Sequence, residues 1–462
     1  MKFRFKNLGP IKDADLELGD LTIIAGRNNT GKTYLAYALY GFVKHLKRWS
    51  TSPHDTRRLE KPVHITSIVS AAAAVGHAET PVSRDQLEHH RSDFAMDAAR
   101  QFTESGLTQV FSTQQSEFDG ASVELISALQ QHLEPVNIRL DFGERYRVSL
   151  RDDRLVMCVD VQDGQPINAH RTRSILRSMY VRFLFPELDL EPFVLTSERF
   201  GISLFYRELD FTKNSLVDFL QKMNEETTRN DADPFLVIDR MTSRYALPVK
   251  DNIDYTRSIP DLGGQSSELS EHKLPSKLRR LTSAYYKNSG DSIALTSIAR
   301  GVRRFTIPLH LASSSARGLS DLYFFLQHVA GPNHLLIIDE PESHLDTHNQ
   351  ILMARLLVRC VQAGLKVLIT THSDYLVKEL NNLIMLSRDF DGKEELLKKL
   401  KYEPEDALDP DQIRAYVAKN GTLTACGIDK YGMEMPNFDS TIDEINRATN
   451  EISSRIYENE GA

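Results

Sequence analysis

Two glycines with four residues between them, followed at once by a lysine and a threonine, open the chemistry of this chain: Gly26-Arg27-Asn28-Asn29-Thr30-Gly31-Lys32-Thr33. The glycines let the backbone curl so that successive N–H groups converge, a geometry suited to phosphate oxygens. Lys32 would neutralise the outer phosphates of a nucleotide, and the Thr33 hydroxyl would ligand Mg2+. A second cluster lies far along the chain, where the apolar run 335–338 ends in Asp339-Glu340-Pro341-Glu342. Carboxylates at the carboxyl end of a buried strand sit where α/β sheets place ligands. Asp339 suits Mg2+ held through water, and Glu340 suits a general base that polarises an attacking water. Two shorter groups complete the set: Ser343-His344-Leu345-Asp346 directly downstream, and Thr371-His372-Ser373-Asp374 after KVLIT. A histidine just past the edge of a strand parallel to that of Asp339 can reach a γ-phosphate. That gives His372 a place beside Lys32 and Glu340.

These groups act together only if regular elements hold them. LTIIA at 21–25 is a compact apolar run, as a buried parallel strand shows, and 34–45 has helical spacing of Leu35, Leu39, Phe42 and Val43. The glycine loop thus lies between strand and helix, the context a phosphate loop demands. Residues 2–6 and 14–18 alternate as short strands, 50–65 reads as loop, and 66–134 reads as mainly helical. After Pro135 three runs alternate, at Ile138/Leu140/Phe142, Tyr146/Val148/Leu150 and Leu155/Met157/Val159, and predict a three-stranded antiparallel meander. A strand is expected at 193–197, then a polar helical insertion at 212–290 broken by a loop over 248–267. A helix is expected from 313–320, strands at 335–338 and 366–370, and a helix at 350–363. The tail reads as a small module ending in an amphipathic helix with Ile442, Ile445, Ile452 and Ile456 on one side.

The 462 residues suffice for two or three domains, or for one domain with large insertions, and 41% hydrophobic content supplies a core. A net charge of −8 excludes a wholesale nucleic-acid binder, so any DNA or RNA surface is a local patch. Cys158, Cys360 and Cys426 lie far apart, which fits neither a disulfide framework nor a zinc site. No apolar run is long enough to span a membrane, and the N-terminus lacks the plan of a signal peptide. The expected location is cytoplasmic, with no membrane partner.

The ordered motifs, P-loop, Asp339-Glu340, Ser343-x-x-Asp346 and Thr371-His372-Ser373, resemble those of the ABC-class ATPases, in the branch of SMC, recombination-repair and OLD-type proteins. The resemblance covers residues 1–45 and about 300–390. It implies ATP and Mg2+ as cofactors and a head-to-head homodimer that sandwiches two nucleotides. It implies Asp346 as the residue that meets the partner subunit, His372 as a switch histidine, and a signature loop whose serine caps the opposite γ-phosphate. The candidate is Ala312-Ser313-Ser314-Ser315-Ala316-Arg317-Gly318-Leu319-Ser320, which departs from LSGGQ and leaves open which of Ser313, Ser314 and Ser315 acts. The segments NLGPIKDADLEL, SSSARGLSDLYFFLQ, THSDYLVKELNNLI and KYGMEM are similar to those of stand-alone prokaryotic ATPases of phage-defence and toxin operons. This implies a separately encoded effector, a nuclease or toxin. Two alternatives stay open: an ATP-gated scaffold or antitoxin with little turnover, and a repair-type ATPase acting on DNA ends.

The implied fold is α/β: an ABC-type ATPase head, with a P-loop mixed sheet and an antiparallel β lobe, helical insertions and a small C-terminal module. The expected boundaries are 1–50 for the P-loop half, 51–135 for a helical insertion and 136–200 for the β lobe and return to the core. They continue with 201–295 for a second helical insertion, 296–395 for the C-terminal ATPase half and 396–462 for the module. The chain is too short for SMC coiled-coil arms and has no CxxC hook. The pairs Asp389/Asp391 and Asp409/Asp411 do not read as the metal-nuclease domain of OLD proteins.

Three further leads come from local pattern. Arg199 in Thr196-Ser197-Glu198-Arg199 is either near a phosphate or a plain surface residue. Arg84 and His89 have the Arg-x4-His spacing of a HEPN-type ribonuclease. Arg171, Arg173, Arg177 and Arg182, and Lys277, Arg279 and Arg280 with Tyr285 and Tyr286, form either a nucleic-acid surface or solvated helix faces.

Overall fold

The computed structural model describes residues 1–51, 63–126, 138–142, 146–151, 154–159, 169–185, 189–206, 245–288, 292–298, 303–435 and 446–453. They group into two compact units, Met1–Leu8 with Tyr37–Pro192, and Gly9–Ala36 with Phe193–Ala462. In chain order the first strands are β1 (Lys2–Leu8), β2 (Ile11–Glu17), β3 (Leu21–Ala25), β4 (His77–Pro81), β5 (Ser122–Leu125), β6 (Ile138–Phe142), β7 (Tyr146–Arg151) and β8 (Arg154–Val159). They continue as β9 (Glu191–Leu195), β10 (Ala284–Asn288), β11 (Ile293–Ser297), β12 (Thr306–Pro308), β13 (His334–Asp339), β14 (Lys366–Thr371), β15 (Ile413–Lys419) and β16 (Thr422–Ala425). The fold is mixed α/β with a large mixed sheet, as expected.

In the second unit the sheet runs in the order β2-β16-β15-β3-β14-β13-β9. β13, β14, β3 and β15 are parallel neighbours, with Ile338 opposite Ile369, Ile369 opposite Ile23, and Ile23 opposite Ala415. β3 is buried throughout, and β13 and β14 are buried past their first residue. Strands covered on both faces read as unbroken apolar runs, which is why these three stand out in sequence. Their side chains share a core with Leu319 and Leu322 of the helix Ser314–Phe324, Leu357 of the helix Thr347–Gln362, and Leu380 of the helix Asp374–Met385. Each such fully buried leucine contributes about 1.5–3 kcal/mol.

The first unit contains an antiparallel sheet in the order β4-β8-β7-β6. β6, β7 and β8 are the expected meander, with Val148, Leu155 and Met157 fully buried. β4 adds an edge strand with Ala78 opposite Met157. β1 and β5 pair antiparallel, Phe3 opposite Leu125, and Phe3 meets Phe42 edge-on at 5.7 Å.

Four readings need correction. The stretch 66–134, read as mainly helical, also holds strands: β4 lies between the helices Val63–Val75 and Arg84–Gln101, and β5 follows the helix Leu107–Phe111. HAETP is too polar to alternate, and its terminal proline suits an edge strand. The expected loop 248–267 begins with a helix, Leu247–Ser258, because Pro248 falls in its first turn, where no N–H is needed. β10 lies within the expected helical insertion 201–295, and β11 begins there. Residues 413–425, read as part of the C-terminal module, supply β15 and β16 to the central sheet. Such pairing is fixed by a partner almost four hundred positions away and leaves no local mark. Residues 212–244 of the expected insertion, and Ile442, Ile445 and Ile456, lie outside the described residues.

Candidate nucleotide site

The loop between β3 and the helix Lys32–Thr51 is shaped by its glycines. Gly26 has φ +155°, and a Cβ there would stand 2.6 Å from the Ala418 carbonyl oxygen on β15. Gly31 has φ +94°, and its Cβ would stand 2.6 Å from Ile11 Cδ1. Arg27, Asn28 and Asn29 are exposed, so in this loop they offer their backbone. Thr30 Oγ1 donates to the Arg27 carbonyl at 2.8 Å. The buried Lys32 ammonium folds back into the loop and donates to the carbonyls of Gly26 and Arg27, each at 2.9 Å. Burial lowers its pKa, while Glu340, Asp339 and Glu342 oppose that fall.

Across the sheet, Thr33 Oγ1 stands 3.2 and 3.1 Å from the two carboxylate oxygens of Asp339, although 306 positions separate the residues. Asp339 is 1% exposed and also accepts from the Thr370 hydroxyl. Burial raises its pKa, and the hydrogen bonds from Thr370 and Thr33 pull it back. The next residue, Glu340, has a left-handed φ of +50°, which costs a non-glycine about 1–2 kcal/mol. Its N–H is held by the Thr370 carbonyl and hydroxyl, at 3.2 and 3.1 Å. Its carboxylate accepts from Ser343 Oγ at 3.2 Å and stands 3.3 Å from His372 Nδ1. The contact with His372 lowers the Glu340 pKa, and the same contact raises that of His372. Each group favours the charged form of the other.

Glu342 belongs to this cluster too. It is buried, and one carboxylate oxygen accepts from Thr371 Oγ1 at 2.7 Å and from the His372 N–H at 2.8 Å. Its other oxygen has no hydrogen-bond partner among the described residues. The third acid of Asp-Glu-Pro-Glu was the available sequence signal, and burial decides its role.

Asp346 caps the helix Thr347–Gln362, accepting from Asn349 N at 3.0 Å and Asn349 Nδ2 at 2.7 Å, and is exposed. Ser313 caps the helix Ser314–Phe324, accepting from Ala316 N at 3.3 Å and sharing a 3.0 Å hydrogen bond with Ser315. Ser313 is exposed, while Ser314 and Ser315 are half-buried.

Residues 204–377 match the family described as the AAA ATPase domain. The match takes in the helix Ser314–Phe324, β13 and β14, while the P-loop lies outside it, nearer the N-terminus. No curated protein matches the chain. Among solved structures, the chain is similar to an Smc head bound to the C-winged helix domain of ScpA, at 12% identity and TM-score 0.33, covering 93% of this chain and 98% of that one. It is also similar to an Smc head with an extended coiled coil bound to the C-terminal domain of ScpA derived from Pyrococcus furiosus (12%, TM-score 0.30, 96% and 98%). A third is an SMC head domain from Thermotoga maritima (11%, TM-score 0.29, 93% and 98%).

Other readings around this site change. Arg199 is neither at a surface nor free to reach a phosphate. It is 4% exposed, and its guanidinium donates to the carbonyls of Asp339, Glu340 and Thr196. Lys277 and Arg280 pair with Glu403 at 2.6 and 3.3 Å, and Arg279 donates to Tyr323 OH at 3.0 Å. Tyr286 is buried, donating to the Ala316 carbonyl at 2.5 Å, so it offers no face to a base. In the other basic stretch Arg173 is exposed and Arg182 pairs with Asp189. Arg84 and His89 pair with Glu88 and Asp93, at 3.7 and 3.5 Å. Five residues apart on a helix, they point about 140° from one another. Asp389 pairs with Lys393, and Asp409 caps the turn Pro410–Gln412. Among the described residues no helix is long and apolar enough to cross a membrane.

Proposed function

We propose that the chain is a magnesium-dependent ATPase whose heads close on each other around ATP and pass the nucleotide state to a separately encoded effector in prokaryotic anti-phage defence. The observation that carries this reading is the meeting of Thr33 with Asp339 at 3.1–3.2 Å, beside Lys32, Glu340 and His372. The match of residues 204–377 to an ATPase domain supports it. Hydroxyl and carboxylate oxygens are the hard donors Mg2+ prefers, and the loop glycines leave a cradle that side chains would fill, so the residues fit a magnesium nucleotide.

When bound, Mg2+ would draw off negative charge that builds on the phosphates. The loop N–H groups would hold those phosphates, and Lys32 would exchange its two carbonyl partners for phosphate oxygens. Glu340 would take the proton of the attacking water, with His372 fixing its carboxylate and sensing the γ-phosphate. Exposed Asp346 and one of Ser313, Ser314 and Ser315 are the groups offered to the partner head. The helical parts of the insertions 51–135 and 201–295, and the tail outside β15 and β16, would carry the nucleotide state to the effector.

Lys32→Ala is expected to lose ATP binding by isothermal calorimetry. Glu340→Gln is expected to bind ATP and run as a dimer in light scattering, reverting to monomer without nucleotide. A monomer under both conditions would remove the paired-head part of the reading. Co-purification of the neighbouring gene product with and without ATP tests the effector; a partner indifferent to nucleotide counts against coupling. A chain that binds ATP and pairs, yet has no turnover, would be the ATP-gated scaffold instead.

A further inference from the structure

Arg199 lies at the meeting of two motifs, and neither accounts for it. Its guanidinium donates through one nitrogen to the carbonyls of Thr196 (3.0 Å) and Asp339 (2.8 Å), and through the other to that of Glu340 (2.8 Å). The last two are successive carbonyls where the chain leaves β13. The Glu340 backbone is therefore gripped on both sides of its Cα, its N–H by Thr370 and its C=O by Arg199. Glu340 needs such a grip, because its left-handed backbone would otherwise relax and re-aim the carboxylate.

On its other side Arg199 faces the helix Ser314–Phe324. A Cβ built on Gly318 would stand 3.8 Å from Arg199 Nε and 3.7 Å from Phe200 Cβ. One turn on, buried Asp321 accepts from Asn252 Nδ2 at 2.9 Å, from Thr256 Oγ1 at 2.8 Å and from Ser320 Oγ at 3.2 Å. Asn252 Oδ1 in turn accepts from Thr196 N and Oγ1, at 3.1 and 3.2 Å. A continuous buried chain of hydrogen bonds thus runs from the helix that follows the serines, through Asn252 and Thr196, to Arg199 and the Glu340 carbonyl. A satisfied buried network of this kind is rigid, because breaking one link leaves a buried polar group unpaired.

We infer that Arg199 is a positioning residue: its planar fork locks the Glu340 backbone and ties the aim of that carboxylate, in the same chain, to the helix Ser314–Phe324. Its consequence for turnover rests on the ATPase reading; the lock itself does not. Lysine keeps the charge and loses the fork, so it cannot hold successive carbonyls in the same plane.

The test is Arg199→Lys in the full chain, read three ways. Amide hydrogen exchange over residues 335–345 should speed up in the variant, while exchange in the P-loop helix stays at the parental rate. A fluorescent ATP analogue should bind within about threefold of the parent. ATP turnover should fall at least about tenfold in kcat with KM little changed, since a misplacement of the reacting group costs up to about a hundredfold. If Arg199→Lys does not fold, Arg199→Gln, which keeps two planar donors without the charge, carries the same expectation. Unchanged exchange over 335–345 overturns the lock, whether or not the parent hydrolyses ATP. Faster exchange with parental kcat, or a parallel loss of binding and kcat, overturns the positioning role. A parent with no turnover would overturn the ATPase reading, and the exchange result would still decide the lock.

Discussion

Glu342 shows how much a single carboxylate can hold. It accepts from the Thr371 hydroxyl and the His372 N–H, the two groups that place His372. Glu342→Ala removes the acceptor of both donors and leaves the buried Thr371 hydroxyl without it, a cost of about 1–3 kcal/mol. The urea midpoint should fall accordingly, and Glu342→Gln, which keeps an acceptor oxygen, should lose less. Equal losses in the two variants would mean that packing, and not hydrogen bonding, is what Glu342 supplies. At this scale the sequence was most legible where chemistry is local. Gly26 to Thr33 are contiguous, and Asp339 and Glu340 are adjacent, so type and spacing were enough. Arg199 was misread because its partners are backbone carbonyls 140 and 141 positions away, and nothing in Thr-Ser-Glu-Arg announces burial.

Among elements, the strand that shapes the phosphate loop was the hardest to foresee. β15 pairs in parallel with β3, and this brings the Ala418 carbonyl against Gly26. Gly26→Ala should therefore abolish ATP binding, because a fixed backbone oxygen blocks the new methyl group. Gly31→Ala is strained too, by its φ of +94°, but should be milder, since the atoms it meets belong to the Ile11 and Pro10 side chains and not to a backbone carbonyl. Comparable ATP affinities for the two variants in calorimetry would contradict the role given to β15. The buried strands β3, β13 and β14 were legible as apolar runs, and the meander β6 to β8 as alternation. β4 and the helix that begins at Leu247 were not, one being too polar and the other opening on a proline. Ser313 is the N-cap of its helix, so Ser313→Ala should lower stability by about 0.5–2 kcal/mol while Ser314→Ala does not. Thermal unfolding of both variants checks this, and on the proposed pairing of heads the variant that also loses it would mark the serine facing the partner.

Across the whole molecule, charge is used to tie distant segments of the second unit together. Glu403 accepts from Lys277, and pairs with Arg280 and Arg359, gathering the helices Leu274–Thr282 and Thr347–Gln362 onto the turn Pro404–Asp406. The Lys277 hydrogen bond, with the charges of Arg359, Lys277 and Arg280, holds its carboxyl down at about 2. A depressed carboxylate stabilises the fold above its unfolded value of about 4.3. That contribution fades as pH falls from there through the folded value. Glu403→Gln should unfold at a lower temperature than the parent at pH 7, with the gap closing as pH falls from about 4.3 through about 2. A gap that stays constant over that range would show that the network is screened by solvent and contributes little.

The central claim is that Glu340, held by its neighbours beside a P-loop and Asp339, takes the proton from water at ATP. Steady-state ATP turnover and ATP affinity, measured side by side for the parent and Glu340→Gln, address it most directly. The account predicts that the parent hydrolyses ATP, and that Glu340→Gln binds ATP as tightly but turns it over about 10²–10⁴-fold more slowly, as expected for loss of a general base. Turnover by Glu340→Gln at the parental rate would contradict it.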